Sequence, residues 1–245
     1  MPSPFIDALL AARLPIIMEV KRQDADGRLL LGDRTIPEIV SAYTAAGAPC
    51  ISVVTGRWFG GEEQMLREVA GLTDLPILQK DFITRERQII RAREIGASAV
   101  LLTARILPKS TFQSLIETTL RHGLTPFVEV AEYEEIDSVI HAADCIVAVN
   151  NKDIRTQERE RGDIDVSRSL LEASIHTGTP CPVSASAITD PRIGAELIAA
   201  GFKGLLIGTG LLLADSVQGW VDEFERQRAG LAEPTPPSPV TQGSR

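Results

Sequence analysis

Residues 75–83 read Leu-Pro-Ile-Leu-Gln-Lys-Asp-Phe-Ile, a short apolar run that ends in Lys80 and Asp81. Three other apolar runs end in the same way, leading into Lys21, Glu129 and Asn150. Polar groups placed where buried strands stop cost desolvation free energy, so a chain that does this repeatedly is expected to assemble a site there. In a parallel barrel, those strand ends all open on one face.

Eight apolar runs rich in Val, Ile or Leu alternate with amphipathic stretches, which predicts strands alternating with helices. The strands are expected to begin near Ile16, Cys50, Pro76, Ala99, Thr125, Cys145, Pro182 and Gly204. The helices are expected over Ile36–Ala46, Glu62–Ala70, Thr84–Ile95, Ser110–Arg121, Glu132–Ala142, Val166–His176, Pro191–Ala200 and Ser216–Ala229. Eight such units predict a single-domain (β/α)8 barrel, the TIM-barrel fold, over residues 1–229.

The connection after the first predicted strand distinguishes this barrel from an open doubly wound sheet. Residues 21–34 read KRQDADGRLLLGDR. A nucleotide-binding open sheet normally carries GxGxxG or GxxxxGK[ST] at this point. The open-sheet alternative therefore loses most of its support.

Residues 230–245 read GLAEPTPPSPVTQGSR, a stretch rich in Pro, Ser and Thr and poor in apolar residues. We predict a disordered tail, because this composition cannot bury enough apolar surface to offset the loss of chain entropy. A proline-rich motif for a partner is the alternative interpretation.

Composition limits the classes of function. The chain has 245 residues, of which 44% are hydrophobic, enough for one domain with a large core. Its 25 Lys and Arg against 33 Asp and Glu give a net charge of −8, which argues against nucleic-acid and membrane partners and favours a small ligand. No apolar stretch reaches the ~20 residues that span a bilayer, and the N-terminus lacks the signal-peptide pattern. We predict a cytoplasmic protein that is a monomer or a weak homo-oligomer.

The cysteines and histidines are not expected to carry chemistry. The six residues are Cys50, Cys145, Cys181, His122, His141 and His176. The cysteines lie in or beside apolar runs without paired spacing, which predicts buried thiols and neither disulfides nor a zinc site. The histidines fall near the C-terminal ends of predicted helices and are interpreted as structural or solvated. Acid–base chemistry is then left to lysines and carboxylates, and no metal site is expected.

Glu19 and Lys21 end the first strand, and the period-two alternation of a strand sends both side chains to the same side. A simple salt bridge is the alternative for this pair alone. With Lys80 and Glu129 at equivalent strand ends, the groups would shift one another's pKa values, so that one ammonium serves as an acid and one carboxylate as a base. Asp81 is expected to cap the following helix or pair with a neighbour.

The last two strands have a different character. Residues 183–187 read VSASA and residues 206–210 read LIGTG, so both strands end in small residues and hydroxyls. The loops after strands seven and eight of such barrels commonly bind phosphate. The pattern favours a phosphate site, although Gly208 and Gly210 could be turn residues only.

Several of these stretches resemble the indole-3-glycerol phosphate synthase family, and the resemblance runs from about Pro15 to Arg228. The P-x-L-x-K-D-F-I motif at residues 76–83 is the most specific of them. The other matching stretches are residues 17–22, 51–55, 59–61, 100–102, 127–130 and 149–153.

The resemblance implies an enzyme without a cofactor that cyclises 1-(2-carboxyphenylamino)-1-deoxyribulose 5-phosphate, losing carbon dioxide and water to leave an indole. Lys80 would be the general acid at the substrate carbonyl. Glu129 would assist dehydration, and Lys21 would contact phosphate or relay a proton. Glu19 and Asn150 would orient these groups and bind hydroxyls. The implied phosphate contacts are Ser186, Ala187, Gly208 and Thr209, with Lys21; the implied substrate contacts are Lys152, Asp24, Asp26, Phe82 and Ser184.

The chain departs from the family pattern at two places that normally help hold the anthranilate carboxylate. Asp24-Ala25-Asp26 stands where the family usually has Ser-Pro-Ser, and acidic groups there would repel a carboxylate. Lys152 stands where the family has Arg, and a lysine cannot reproduce the two-pronged grip of a guanidinium.

A third departure lies in strand seven, where Ala185-Ser186-Ala187 replaces Glu-Ser-Gly. The change deletes a pocket carboxylate and adds a methyl group beside the expected phosphate site. If position 187 requires a positive φ, alanine costs about 1 kcal/mol or more there.

Three other functions therefore stay open at this point. The chain could be a paralogue that acts on a related phosphorylated ketose adduct in specialised metabolism. It could be a sugar-phosphate isomerase or aldolase-like barrel, in which a lysine forms a Schiff base. It could also be a non-catalytic protein that binds a phosphorylated metabolite.

Overall fold

The computed structural model describes residues 3–152 and 162–232. Eight parallel strands form a closed barrel in which each strand pairs with the next and the first pairs with the last. The strands are β1 (Ile16–Val20), β2 (Cys50–Val54), β3 (Ile77–Lys80), β4 (Ala99–Thr103), β5 (Thr125–Val130), β6 (Ile146–Asn150), β7 (Cys181–Ala185) and β8 (Gly204–Ile207). The predicted single-domain barrel is confirmed, and every strand begins within one residue of its predicted start.

Helices cover the outside of the barrel. They are α1 (Pro4–Ala11), α2 (Ile36–Ala45), α3 (Glu63–Ala70), α4 (Glu86–Ile95), α5 (Lys109–Arg121), α6 (Tyr133–Ile136), α7 (Ile164–His176), α8 (Pro191–Ala200), α9 (Thr209–Leu212) and α10 (Val217–Ala232). α2 shows how the local sequence starts a helix: Thr35 accepts from the Glu38 N–H, while the Glu38 carboxylate accepts from the Thr35 N–H.

One predicted helix is wrong. The stretch Glu132–Ala142 is not a continuous helix, because α6 ends at Ile136 and only a 3₁₀ turn, Ala142–Asp144, follows it. The Ser138 carbonyl accepts from the side chain of Gln113, and His141 has a left-handed φ of 52°. The left-handed residue cannot continue a right-handed helix, so the helix does not extend through this segment.

The C-terminal boundary also differs from the prediction. α10 continues to Ala232, three residues beyond the expected end of the last helix at Ala229. The rest of the predicted tail, residues 233–245, lies outside the described residues. Among the described helices, none is long and apolar enough to cross a membrane.

The interior of the barrel is filled in layers from alternate strands, as the fold requires. The bottom is closed by Phe5, Ile6 and Leu9 of α1. Above it lie inward-facing apolar residues, including Ile17, Leu78, Phe127 and Val183. Two residues further along the same four strands come Glu19, Lys80, Glu129 and Ala185, which therefore share the next layer towards the C-terminal face. Three members of this layer are ionisable, and Ala185 alone is apolar.

The cysteines and histidines lie away from this layer. The cysteines are buried free thiols as predicted, and burial raises the pKa of Cys145 and Cys181 to about 12. His122 lies at the C-terminal end of α5 and His176 at that of α7, again as predicted.

Candidate active site

A cavity of about 520 Å³ opens at the C-terminal end of the strands. It collects polar side chains from β1, β3 and the β6–α7 connection together with the backbone that follows β7 and β8. Ten of the predicted site residues line it: Glu19, Lys21, Asp24, Asp26, Lys80, Lys152, Ser186, Ala187, Gly208 and Thr209. Residues that are scattered over the sequence therefore meet in one place.

Glu19 holds the two lysines of the cavity. Its Oε1 lies 3.1 Å from Lys21 Nζ and its Oε2 lies 3.3 Å from Lys80 Nζ. Burial alone would raise the pKa of Glu19, but the charges of Lys80 and Lys21 and their hydrogen bonds outweigh it and lower that pKa. Tyr43 fixes the strand end by donating to the Glu19 carbonyl at 2.9 Å. Glu19, Lys21 and Lys80 therefore form a network of three charged groups and not the simple Glu19–Lys21 salt bridge that was the alternative.

Phe59 is a site residue that sequence reasoning did not single out. Its ring lies 5.8 Å from Lys21 Nζ, within the range of a cation–π contact. The Phe59 carbonyl accepts from the Gln23 N–H at 3.3 Å, and Arg22 pairs with Glu62 across the same two loops. The sequence signal for Phe59 was its place in residues 59–61, one of the stretches that match the family, in a loop that follows a strand.

A smaller, mostly apolar recess adjoins the main cavity. Phe59, Phe82 and Leu101 line it, together with Lys80 and Glu129. Lys80 lines both spaces, so its ammonium group stands where a polar compartment meets an apolar one. Phe82, a predicted substrate contact, lines this recess with Lys80 and Glu129.

A third recess contains Glu129, Asn150 and Lys152. Asn150 Oδ1 accepts from the Lys152 N–H at 3.0 Å, which fixes the amide. Next to it, Arg105 pairs with Glu135 at 2.6 Å and with Glu132. This ion-pair cluster connects the loops after β4 and β5 and thereby holds the strand end that carries Glu129.

Two predicted acidic residues have structural partners. Asp24 Oδ1 accepts from the N–H groups of Asp26 and Arg28 at 3.0 and 2.9 Å, which shapes the β1–α2 loop. Asp81 accepts from the Thr55 hydroxyl and from the Phe82 N–H, each at 2.8 Å. Asp81 therefore pairs with neighbours, as one of the two structural interpretations expected.

The backbone after β7 and β8 borders the other end of the main cavity. Ser186 and Ala187 have left-handed φ values of 67° and 60°, so position 187 does require the conformation that alanine resists. Gly208 has no room for a side chain, because a Cβ there would overlap the Glu19 carboxylate. A Cβ on Gly210 would lie 2.5 Å from the Ile188 carbonyl oxygen. Neither position has room for a side chain, so both glycines are required by close packing and not only by a turn.

Ser184 is the predicted contact that needs correction. It is fully buried and lines none of the three cavities. Its hydroxyl lies 2.7 Å from Ser167 Oγ and accepts from Asn151 at 3.1 Å. Its strand neighbours Val183 and Ala185 face the barrel interior, so Ser184 faces α7 and cannot contact a substrate in the cavity.

Similarity to known proteins extends over most of the chain. The family model for indole-3-glycerol phosphate synthase matches residues 2–224. Tryptophan biosynthesis protein TrpCD from Archaeoglobus fulgidus is 35% identical over 226 residues, which cover 89% of this chain and only 39% of that longer protein.

Two relatives of more similar length carry the description indole-3-glycerol phosphate synthase. The protein from Bacteroides thetaiotaomicron is 35% identical, and the match covers 82% of this chain and 75% of the relative. The one from Mycolicibacterium gilvum is 36% identical, with coverage of 86% and 77%.

Among solved structures, 3-hexulose-6-phosphate synthase from Salmonella typhimurium has a TM-score of 0.67 and 14% identity, covering 88% of this chain and 99% of that one. At this identity, the likeness concerns the fold alone. Because the family model and both relatives of similar length agree over most of its residues, this chain belongs to the indole-3-glycerol phosphate synthase family.

Proposed function

We propose that this chain closes the indole ring of 1-(2-carboxyphenylamino)-1-deoxyribulose 5-phosphate, acting as a carboxy-lyase in tryptophan biosynthesis. One observation carries the proposal: Lys80 lines both the polar cavity and the apolar recess. A proton donor at that boundary can reach a carbonyl that links a phosphorylated chain on one side to an aryl group on the other.

The two ends of the substrate would occupy chemically different surroundings. The phosphate group would lie against the backbone of Ser186, Ala187, Gly208 and Thr209, all of which line the main cavity. The aryl group would extend towards Phe59, Phe82 and Leu101. Aromatic and aliphatic surfaces favour a ring, whereas small residues let backbone groups approach a phosphate closely.

Ring closure forms a bond between the aryl carbon that bears the carboxylate and the ketose carbonyl carbon. Lys80 donates a proton to the carbonyl oxygen, which becomes a hydroxyl group. The bond to the carboxylate then breaks, carbon dioxide leaves, and its electron pair restores the aromatic ring. In the dehydration, Glu129 accepts a proton from the adjacent ring CH2 group, and the electron pair of that C–H bond forms the indole double bond. The C–OH bond breaks, and the hydroxyl group leaves as water with a proton from a lysine ammonium group.

The remaining polar groups prepare these steps. Glu19 orients the ammonium groups of Lys21 and Lys80, since its carboxylate contacts both. Lys21 contacts the phosphate or relays a proton, and Asn150 binds substrate hydroxyls. Lys152, which lines the main cavity, would contact the aryl carboxylate.

A second candidate is supported by the acidic side of the cavity. Asp24 and Asp26 line it, and Ala185 occupies the layer position where a fourth functional group would stand. Carboxylates there disfavour an anionic aryl group. A paralogue that acts on a related phosphorylated ketose adduct without the aryl carboxylate fits these residues.

Turnover of two synthetic substrates tests the proposal. We expect purified protein to convert the carboxylated adduct into indole-3-glycerol phosphate, measured by indole fluorescence and by carbon dioxide release, and the Lys80→Met variant to lose this activity. Conversion of only the adduct that lacks the carboxylate would favour the paralogue. Absence of both binding and turnover of the two compounds would exclude both functions. The predicted cytoplasmic location and the monomer or weak homo-oligomer remain predictions.

A further inference from the structure

Asn151 is a buried amide that no step of the proposed reaction uses. Only 2% of its surface is exposed. Its Nδ2 donates to the carbonyls of Ala185 and Ser186, each at 3.0 Å, and to Ser184 Oγ at 3.1 Å. Its Oδ1 accepts from the Ser167 N–H at 3.1 Å. One side chain thus connects the ends of β6 and β7 with the start of α7.

These hydrogen bonds decide which way the peptide groups after β7 point. In a planar trans peptide, the carbonyl of one residue and the N–H of the next point in opposite directions. The carbonyls of Ala185 and Ser186 both point towards Asn151: each accepts from its side chain, and that of Ala185 also accepts from its backbone N–H at 3.0 Å. The N–H groups of Ser186 and Ala187 therefore point away from Asn151, and both residues line the main cavity.

The same segment has a conformation that its sequence resists. Ser186 and Ala187 both have a positive φ, and neither is a glycine. Side chains with a Cβ disfavour this conformation, so the surroundings must stabilise it. Asn151 supplies that stabilisation, since its hydrogen bonds end on the two carbonyls that enter the left-handed segment.

We propose that Asn151 is a positioning residue that holds the Ser186–Ala187 backbone so that its N–H groups bind the substrate phosphate. The inference rests on the proposed phosphate end of the cavity. It separates the two consecutive asparagines by role: Asn150 faces the barrel interior, whereas Asn151 acts from behind the strands through the backbone.

The test compares Asn151→Asp with a control that weakens the same pair of strands at the opposite end. Aspartate is nearly isosteric, but it replaces the donor with an oxygen that repels the two carbonyls. Thr179→Val is the control, because the Thr179 hydroxyl donates to the Cys145 carbonyl at 2.6 Å on the N-terminal side of the barrel. Both variants are first checked for folding by circular dichroism and denaturant unfolding.

Binding of inorganic phosphate, followed by 31P NMR and by competition with turnover, is the readout. We expect Asn151→Asp to raise the dissociation constant at least about tenfold and to raise KM more than it lowers kcat, with Thr179→Val unchanged. Equal phosphate affinity in folded Asn151→Asp and the original chain, or an equal loss in Thr179→Val, would overturn the inference. If the original chain binds neither phosphate nor the phosphorylated substrate, the proposed function itself is wrong.

A second pair of variants covers the case in which Asn151→Asp does not fold. We expect Asn151→Ser to weaken phosphate binding, and Ala187→Gly in that background to recover part of it, because glycine adopts a positive φ without strain. No weakening by Asn151→Ser, or a weakening that glycine leaves unchanged, would contradict a positioning role.

Discussion

Lys80 Nζ lies 3.3 Å from Oε2 of Glu19, so a buried carboxylate on β1 holds the proposed proton donor on β3. The other oxygen of the same carboxylate contacts Lys21. Glu19 therefore offsets two positive charges at a buried position, because only 2% of its own surface is exposed.

Replacing Lys80 tests the central role. Lys80→Met keeps a similar length and removes the proton donor, so we expect kcat to fall by about 100-fold or more. Formation of the indole product is measured under saturating substrate. Lys109→Met, at an exposed position at the start of α5, is the matched control and should retain full activity. Activity of Lys80→Met within a few-fold of the original chain would exclude Lys80 as the general acid.

The lowered pKa of Glu19 predicts a pH-dependent contribution to stability. The folded-state pKa lies below the unfolded value of about 4.3, so charged Glu19 stabilises the fold above that value. As the pH falls through the folded-state pKa, the contribution is lost. We expect the difference in unfolding free energy between the original chain and Glu19→Gln to be largest near neutral pH and to shrink in acid.

Urea unfolding of both proteins between about pH 3 and pH 7 measures this difference. Glu134→Gln, at an exposed position in α6, provides the control. If the difference in unfolding free energy between Glu19→Gln and the original chain stays constant over this pH range, the two lysines do not stabilise charged Glu19.

The strands and most of the site could be predicted from the sequence, because the two-residue period of a strand determines both where strands lie and which side chains face the cavity. Apolar runs locate the strands, and a polar residue two positions beyond an inward-facing apolar one must face the cavity, as Lys80 does after Leu78. The same rule explains the error at Ser184, which lies between the inward-facing residues Val183 and Ala185. The alternation of the strand thus turns its hydroxyl group away from the cavity.

Contacts between distant loops could not be predicted in this way. The stacking of Lys21 on Phe59 and the hydrogen bonds from Asn151 to the end of β7 depend on loop conformation, which has no period in the sequence. The interrupted helix after β5 has a similar cause. Its amphipathic pattern is helical, but the side chain of Gln113, on α5, takes the Ser138 carbonyl.

The left-handed conformation of Ala187 predicts a stabilising substitution. Ala187→Gly removes the steric cost of a positive φ and increases the entropy of the unfolded chain, so we expect a net gain of about 0.5–1 kcal/mol. Ala185→Gly is the control, because that residue is fully buried in β7, and there glycine should destabilise the fold by about 1 kcal/mol. Urea midpoints of the two variants should move in opposite directions. A loss of stability in both would show that the positive φ at position 187 carries no strain.

Asp24 and Asp26 form an acidic wall of the main cavity, which predicts how tightly the chain binds a substrate with an anionic aryl group. Asp24→Asn removes a charge that lines the cavity and keeps the oxygen that accepts from the Asp26 and Arg28 N–H groups, so the loop conformation is preserved. We expect KM for the carboxylated substrate to fall by about fivefold, because the repulsion between two like charges about 4 Å apart in water is about 1 kcal/mol. The effect should shrink as ionic strength rises.

Asp33→Asn is the matched control for this last substitution, since Asp33 is exposed in the same β1–α2 loop and does not line the cavity. Its KM should stay within error of the original value. Initial rates at low and high salt measure both variants. An unchanged or raised KM in Asp24→Asn would mean that the carboxylate of the substrate does not approach this wall, and the acidic residues would then favour an adduct with a neutral or cationic ring substituent.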